Sequence, residues 1–441
     1  MNADQRLTTP KNKVQELQRV LYSAAKESPK RRFHALYDKV YRKDIMEEAW
    51  KRVKANAGSP GIDKLTIDHI VSEYGEGRFK EETAEMLRSG EYRAKPVRRQ
   101  EIPKGDGKMR PLGIPTVRDR LVQMAAKLVI EPIFEADFRD CSYGFRPKRS
   151  THGATEKIRE TVNNGKVYWV VDVDITGYFD NIAHDKLMEL VEQRINDRRM
   201  LKVIRKWLKA GVMKDDKFFE TDIGSPQGGV ISPLLANIYL HYLDTVWEKQ
   251  FTELGTLVRY ADDLVILCHK KEHALKAIEV LKAVFGKLEL KMNAQKSKRV
   301  NLWIEEKNQG FDFLGYHHRR LPAYRKGGKK AWILRSFPSK KAMKKMRSKV
   351  KEVTAPRKKL TRTLNELVEE LNPKIQGWRN YYAKADKGSA NGFLRKIDWY
   401  IGKRLVIFWN NKHKRRKTWH FDFYSTLKRI GLKSATLQAS T

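Results

Sequence analysis

The 441-residue chain is poor in cysteine, in long apolar runs and in acid. Its two cysteines, Cys141 and Cys268, cannot form a disulfide framework, and no Cys₄ or Cys₂His₂ zinc site can be assembled. A reducing, cytoplasmic setting without zinc is therefore expected. No stretch approaches the ~20 apolar residues that a bilayer requires, and Met1 to Pro10 has no apolar centre like that of a signal peptide. No membrane partner is expected. Acids number 53 against 91 Lys and Arg, which leaves a formal charge of +38. That excess is far above what solubility needs, and it points to polyanions, with nucleic acid ahead of anionic membrane.

What the chain does have is unevenly spread. With 17 Phe, 17 Tyr and 10 Trp there is apolar bulk for two or three packed domains. Residues 1–55 read as helical, with Val14, Leu17 and Leu21 on one stripe and Ile45, Ala49, Trp50 and Val53 on another. The cluster from Asn56 to Asp63, rich in Gly, Ser and Pro, ends this arm. Strands over Tyr168 to Ile175 and Leu257 to Cys268 then alternate with helices, one of them His273 to Phe285 with Gly286 as its C-terminal cap. A mixed α+β core is predicted up to about residue 316.

Beyond it the composition shifts. His317 to Leu360 holds 17 Lys and Arg against the single acid Glu352, close to half of the whole excess. Leu364, Leu367, Val368 and Leu371 mark an amphipathic helix, and Gly377-Trp-Arg-Asn-Tyr-Tyr382 interleaves aromatic and polar residues. Arg395 to His420 carries nine Lys and Arg, one acid, and Trp399, Trp409 and Trp419. Basic faces interleaved with aromatics offer phosphate contacts and stacking surfaces together, which suits RNA or DNA.

The chemistry concentrates in acids. Tyr260-Ala-Asp-Asp263 sits between two apolar runs, so two adjacent carboxylates fall at a tight turn between strands. Like charges this close repel unless a cation sits between them. Two-metal phosphoryl transfer needs a further carboxylate from another strand, to bridge ions about 3.5 to 4 Å apart. Val170-Val-Asp-Val-Asp-Ile-Thr-Gly-Tyr-Phe-Asp180 delivers Asp172, Asp174 and Asp180, the first two on one face of the strand. An isolated Asp-Asp turn is usually a solvated hairpin; a second acidic strand reverses that reading.

With these motifs the sequence resembles the reverse transcriptases encoded by group II introns. The resemblance runs from about residue 50 to 320. It comprises Ile102 to Pro115, Ser142-Tyr-Gly-Phe-Arg-Pro147, Asp174 to Asp180, Gly224 to Asn237, Tyr260 to Asp263, Asn293-Ala-Gln-Lys-Ser297 and Phe313-Leu-Gly-Tyr316, in that order. It implies a right-hand polymerase: fingers and palm with an antiparallel sheet, an N-terminal helical extension and an α-helical thumb or maturase X domain. The implied boundaries are 1–63 for the extension, 64–316 for fingers and palm, 317–394 for the thumb, and 395–441 for a basic, DNA-binding-like tail.

Position by position, the resemblance makes Asp174, Asp262 and Asp263 the catalytic ligands of two Mg²⁺ ions, with Mn²⁺ as a substitute and the Ile175 carbonyl as an extra ligand. Asp172 becomes a supporting carboxylate. Lys104 and Arg110 match the finger residues that hold the triphosphate of an incoming dNTP. Gln227 is expected beneath the nascent base pair, with the following glycines letting backbone approach the substrate. Phe179 falls where a ribose 2′-hydroxyl would lie and should exclude ribonucleotides. Phe313, Leu314, Gly315 and Tyr316 match the primer grip. Lys296 falls in a motif read as packing. Two other candidates fail. His317 and His318 point to opposite faces of a strand and read as solvated, and His184 reads as a capping or packing residue.

The implied function is RNA-directed DNA synthesis by a bacterial protein that binds its intron RNA as a splicing and mobility cofactor and takes target DNA as primer. The chain stops at Thr441 without a C-x-x-C pair, so the Cys-rich HNH endonuclease of many relatives is expected to be absent. The rival readings are a host-adopted relative in DNA repair or phage defence, a splicing-only maturase, and an RNA-dependent RNA polymerase, against which Phe179 speaks. Homodimerisation is left open.

Overall fold

A computed structural model describes residues 12–103, 109–214, 217–219, 224, 228–303, 309–324, 330–384, 386–413 and 422–436. Helix Lys13–Glu27 opens the described chain, with the Asn12 side chain capping the Gln15 amide at 2.9 Å. The arm is not continuously helical, as the apolar stripes suggested. Between this helix and Lys43–Ala55 only the short Tyr37–Val40 is helical. The backbone released there is satisfied from far along the sequence. Asp197 accepts from the Leu36 and Tyr37 amides at 2.9 and 2.8 Å, and Arg194 donates to the Ser28 and Arg31 carbonyls at 3.0 and 3.1 Å.

The arm packs on helix Val117–Glu135, which is buried on nearly every side. The Gly58 to Asp63 turn docks at the start of that helix. Arg120 donates to the Ser59 carbonyl at 2.7 Å, and a Cβ on Gly61 would lie 2.6 Å from the Thr116 Cα, so a larger residue would not fit.

Among the described residues there are three sheets. The first pairs Val97–Pro103 antiparallel with Met109–Ile114, and on its other edge parallel with Val212–Lys214, which pairs in turn with Lys217–Phe219. The second is antiparallel throughout, in the order Thr256–Tyr260, Asp263–Cys268, Trp169–Val173, Lys298–Asn301. Its side chains alternate between two cores. Leu264 and Ile266 join the large core with the arm and helix Val117–Glu135, whereas Val265 and Leu267 join a smaller core with Ala154, Ile158 and Val162 of helix Thr151–Asn164. Cover on both faces explains why this strand reads as one apolar run.

The third sheet joins Phe311–Phe313, Tyr316–Tyr324 and Lys330–Pro338. Residues from 317 onward, expected in a helical thumb, thus open as a long hairpin. The alternation was hidden because two of the buried positions are polar, His318 and Ser336, each fully buried. Helices Lys340–Thr354, Leu364–Tyr382, Lys387–Lys412 and Asp422–Arg429 follow and enclose a core that includes Met346, Val350, Leu367, Leu371, Leu394, Ile401, Leu405 and Leu427. A capping box between Thr363 and Glu366 starts the second of these. Lys387–Lys412 runs through residues 394 and 395 without a break. In the palm, helix Lys271–Lys287 continues through Gly286 and is capped at Leu288, so that glycine is a helical residue rather than the cap. Among the described residues no helix is long and apolar enough to cross a membrane.

Candidate active site

The Asp-Asp pair lies at the tip of the hairpin formed by Thr256–Tyr260 and Asp263–Cys268. Tyr260 pairs with Asp263, which leaves Ala261 and Asp262 as the turn. Ala261 has φ +56°, in the left-handed region that residues with a Cβ seldom adopt. Gly144 makes room for it: a Cβ there would sit 2.4 Å from the Ala261 nitrogen.

Asp174 lies one residue past the end of Trp169–Val173, so its placement does not come from strand alternation. Its backbone is held by the segment from Lys291 to Ser297. The Asn293 amide donates to the Asp174 carbonyl at 2.8 Å, the Asp174 amide donates to Ser297 Oγ at 3.2 Å, and the Thr176 amide donates to the Lys291 carbonyl at 2.9 Å. The Ile175 carbonyl takes part in none of these bonds. Lys296 Nζ lies 3.6 Å from Asp174 Oδ2. A segment expected only to pack therefore holds the first acid from both sides of its peptide and places a cation beside it.

The acids sense one another. Burial pushes Asp263 up to about 6, reinforced by the Asp262 and Asp174 charges and opposed by Lys341 and Arg110. Asp263 keeps contact with solvent, so water tempers this push. Asp262 is raised first by burial, then by Asp174, with Arg110 and Arg259 opposing. Asp172, paired across the sheet with Val265 and Lys298, is raised to about 7 by burial and then by Asp263. Among the described residues no three His, Cys, Asp or Glu side chains form a ready metal cage. Asp174, Asp262 and Asp263 instead form an open set of hard oxygen donors in mutual repulsion. Such a set fits a divalent ion that takes one or two carboxylates together with substrate phosphates and water.

Among the described finger residues, the charge of Arg110, opposite Ile102 in the first sheet, reaches Asp262 and Asp263. Lys104 and Gln227 lie outside the described residues. Gly228 has φ +117°, and a Cβ there would meet the Gly113 carbonyl at 2.5 Å. Its freedom lets this loop lie close against the finger strand. Phe179 is half-buried in the turn Tyr178–Asn181, edge-on to Tyr178, whose hydroxyl donates to the Ala236 carbonyl at 2.5 Å.

Phe313 and Tyr316 flank a two-residue turn in which Leu314 and Gly315 both have positive φ, +50° and +81°, the type I′ geometry of tight hairpins. Tyr316 is fully buried and stacks on Tyr381 at 5.2 Å. The Tyr316 hydroxyl donates to the Tyr381 carbonyl, and the Tyr381 hydroxyl donates to the Leu314 carbonyl. Nothing in the local sequence around Tyr381 signals this contact, because its partners lie 65 and 67 positions away.

The histidines divide. His317 pairs with Asp312 at 2.6 Å. His318, expected to be solvated, is instead fully buried, bonded to Ser336 Oγ at 2.9 Å and stacked on Phe311, and burial lowers it to about 3. His184 is a packing residue, with Nε2 2.6 Å from the Gly224 carbonyl.

A profile of the family "Reverse transcriptase (RNA-dependent DNA polymerase)" matches residues 102–318, and one of the "Group II intron, maturase-specific domain" matches residues 343–425. Protein YkfC of Escherichia coli K12 is 33% identical over 369 residues, which is 75% of this chain and 93% of that protein. Group II intron-encoded protein LtrA of Lactococcus lactis subsp. cremoris is 42% identical over 213 residues, 48% of this chain and 35% of LtrA. Among solved structures, a partial Cas6-RT-Cas1–Cas2 complex is similar at 25% identity and a TM-score of 0.36, over 57% of this chain and 43% of that one. Reverse transcriptases use divalent metal ions and bind RNA and DNA. From the two profiles in sequence and the near-complete match to YkfC, the chain belongs to the group II intron-encoded reverse transcriptase/maturase family, RNA-directed DNA polymerases that assist splicing.

Proposed function

We propose that the chain extends a DNA primer on its group II intron RNA, with Asp174, Asp262 and Asp263 holding two Mg²⁺ ions and the Ile175 carbonyl assisting. The reading rests on one observation: the charges of acids from two separated segments, Asp174 and the Asp262-Asp263 turn, raise one another, and the charge of finger Arg110 opposes them at two. When bound, the ions supply Lewis-acid activation of the primer 3′-hydroxyl and neutralise the pyrophosphate leaving group. Mn²⁺ serves as a substitute.

The other roles belong to side chains of the chain. Arg110 offers a planar fork to phosphate oxygens, and Lys104 is a compact second cation for the same triphosphate. Phe179, wedged against Tyr178, presents a fixed wall to the sugar and selects dNTPs. Gln227 is assigned to support of the nascent base pair. Phe313, Leu314, Gly315 and Tyr316 grip the primer through a turn braced by Tyr381. The basic helix Lys340–Thr354 and the basic residues of Lys387–Lys412 clamp intron RNA through phosphates, as a ribonucleoprotein in the bacterial cytoplasm. Splicing chemistry remains with the RNA, and mobility follows by reverse splicing and priming from target DNA.

Primer extension on an RNA template with dNTPs and Mg²⁺ tests this reading. Asp262→Ala should abolish extension while RNA binding persists. Extension at the wild-type rate by that variant would refute the assignment.

A further inference from the structure

Arg259 is the single charged residue of strand Thr256–Tyr260, and its side chain is entirely buried. A buried guanidinium is tolerated only when its charge is paired and its donors are satisfied. All five N–H groups have partners. Nε donates to Asp244 Oδ1 at 2.8 Å, and Nη2 donates to Asp244 Oδ2 at 2.5 Å and to Ser142 Oγ at 2.8 Å. Nη1 donates to Asn237 Oδ1 at 3.1 Å and to the Ala261 carbonyl at 2.9 Å.

Four of the five bonds anchor the group to helix Ser232–Gln250 and to Ser142. The fifth reaches forward to the turn. The Ala261 carbonyl belongs to the peptide that joins Ala261 to Asp262, so this bond fixes the plane from which Asp262 projects. The same ring of contacts closes behind it. Asn237 Nδ2 donates to the Gly144 carbonyl at 2.8 Å, and Gly144 is the residue whose missing side chain admits the left-handed Ala261. The Arg259 amide and carbonyl pair with Cys141 and Tyr143, each at 2.8 Å.

We propose that Arg259 is a positioning residue for catalysis, holding the Ala261–Asp262 peptide against helix Ser232–Gln250 so that Asp262 and Asp263 face Asp174 before substrate binds. The proposal rests on the carboxylate roles of the preceding section. A lysine would keep the charge but lacks the fork that reaches Asp244, Ser142, Asn237 and Ala261 together.

The test compares Arg259→Lys with the double variant Arg259→Met/Asp244→Leu, using a DNA primer annealed to an RNA template. Apolar replacement of a buried ion pair commonly preserves folding, so the double variant separates stability from positioning. Both should unfold cooperatively and bind primer–template as the wild type does. Their kcat should fall by about 10²-fold, the loss expected for a misplacement near 1 Å, with little change in dNTP KM. The Mg²⁺ needed for half-maximal rate should rise. Wild-type kcat in the folded double variant would overturn the proposal. So would loss of the cooperative fold in both variants, because the pair would then serve stability alone. Failure of the underlying reading is distinguishable, since it requires that Asp262→Ala extend primers in the same assay.

Discussion

The Tyr381 hydroxyl donates to the Leu314 carbonyl at 2.7 Å, and the Tyr381 carbonyl lies 2.8 Å from His152 Nε2. One residue of helix Leu364–Tyr382 therefore braces the turn between Phe313 and Tyr316 through its hydroxyl and meets helix Thr151–Asn164 of the palm through its carbonyl. Tyr381→Phe removes the brace and keeps the stack on Tyr316. Its cost in stability should be about 1 kcal/mol, that of one hydrogen bond. Average product length on a long RNA template with a competitor trap should shorten, while the rate of single-nucleotide addition is retained. Unchanged product length would separate this bond from primer handling.

Lys296 competes with any cation for Asp174. At 62% side-chain exposure its ion pair contributes little, about 0–1 kcal/mol. Lys296→Met should therefore leave the melting temperature nearly unchanged and lower the Mg²⁺ required for half-maximal extension, by up to about fivefold. A higher requirement would assign Lys296 to substrate binding instead.

Asp172 and Asp263 are raised to about 7 and about 6. A carboxyl raised in the folded state stabilises the fold at low pH, and that contribution is lost as pH rises through the folded value. In EDTA the protein should therefore melt at lower temperature as pH rises from about 5 to about 8. Asp172→Asn should flatten the upper part of this fall. Mg²⁺ takes the ionised forms, so its affinity should climb over the same range. Thermal melts with and without metal measure both trends.

Phe179→Ala should open the sugar site. Ribonucleotide incorporation relative to deoxyribonucleotide should rise about tenfold or more, read by parallel extension with each nucleotide. Unaltered discrimination would place the sugar against another residue.

Much of the palm was legible because its strands are apolar on both faces and its acids interrupt them at Asp174 and at Asp262-Asp263. The order of the motifs along the chain carries the family by itself. The features that local sequence does not signal depend on partners distant along the chain. The break after Glu27 is satisfied by Arg194 and Asp197, more than 150 positions away by number, and no local periodicity signals that. The hairpin from Tyr316 hides its buried face behind His318 and Ser336. Ser297 and Asn293 belong to the motif Asn293 to Ser297, yet their grip on the Asp174 backbone uses an amide and a hydroxyl that composition cannot reveal. The fivefold ligation of Arg259 was likewise invisible, because the residue reads as one more base in a basic chain.

The unbroken helix Lys387–Lys412 has a practical consequence for anyone trimming the protein. Residue 394 looks like a natural place to cut, since the densely basic segment begins just after it. A chain ended there would lose Ile397, Ile401, Leu405 and Phe408, all of which lie in the apolar interior of the bundle. The remaining helices would then present their greasy inner surfaces to water, and the shortened product should precipitate or self-associate rather than behave as a tidier polymerase.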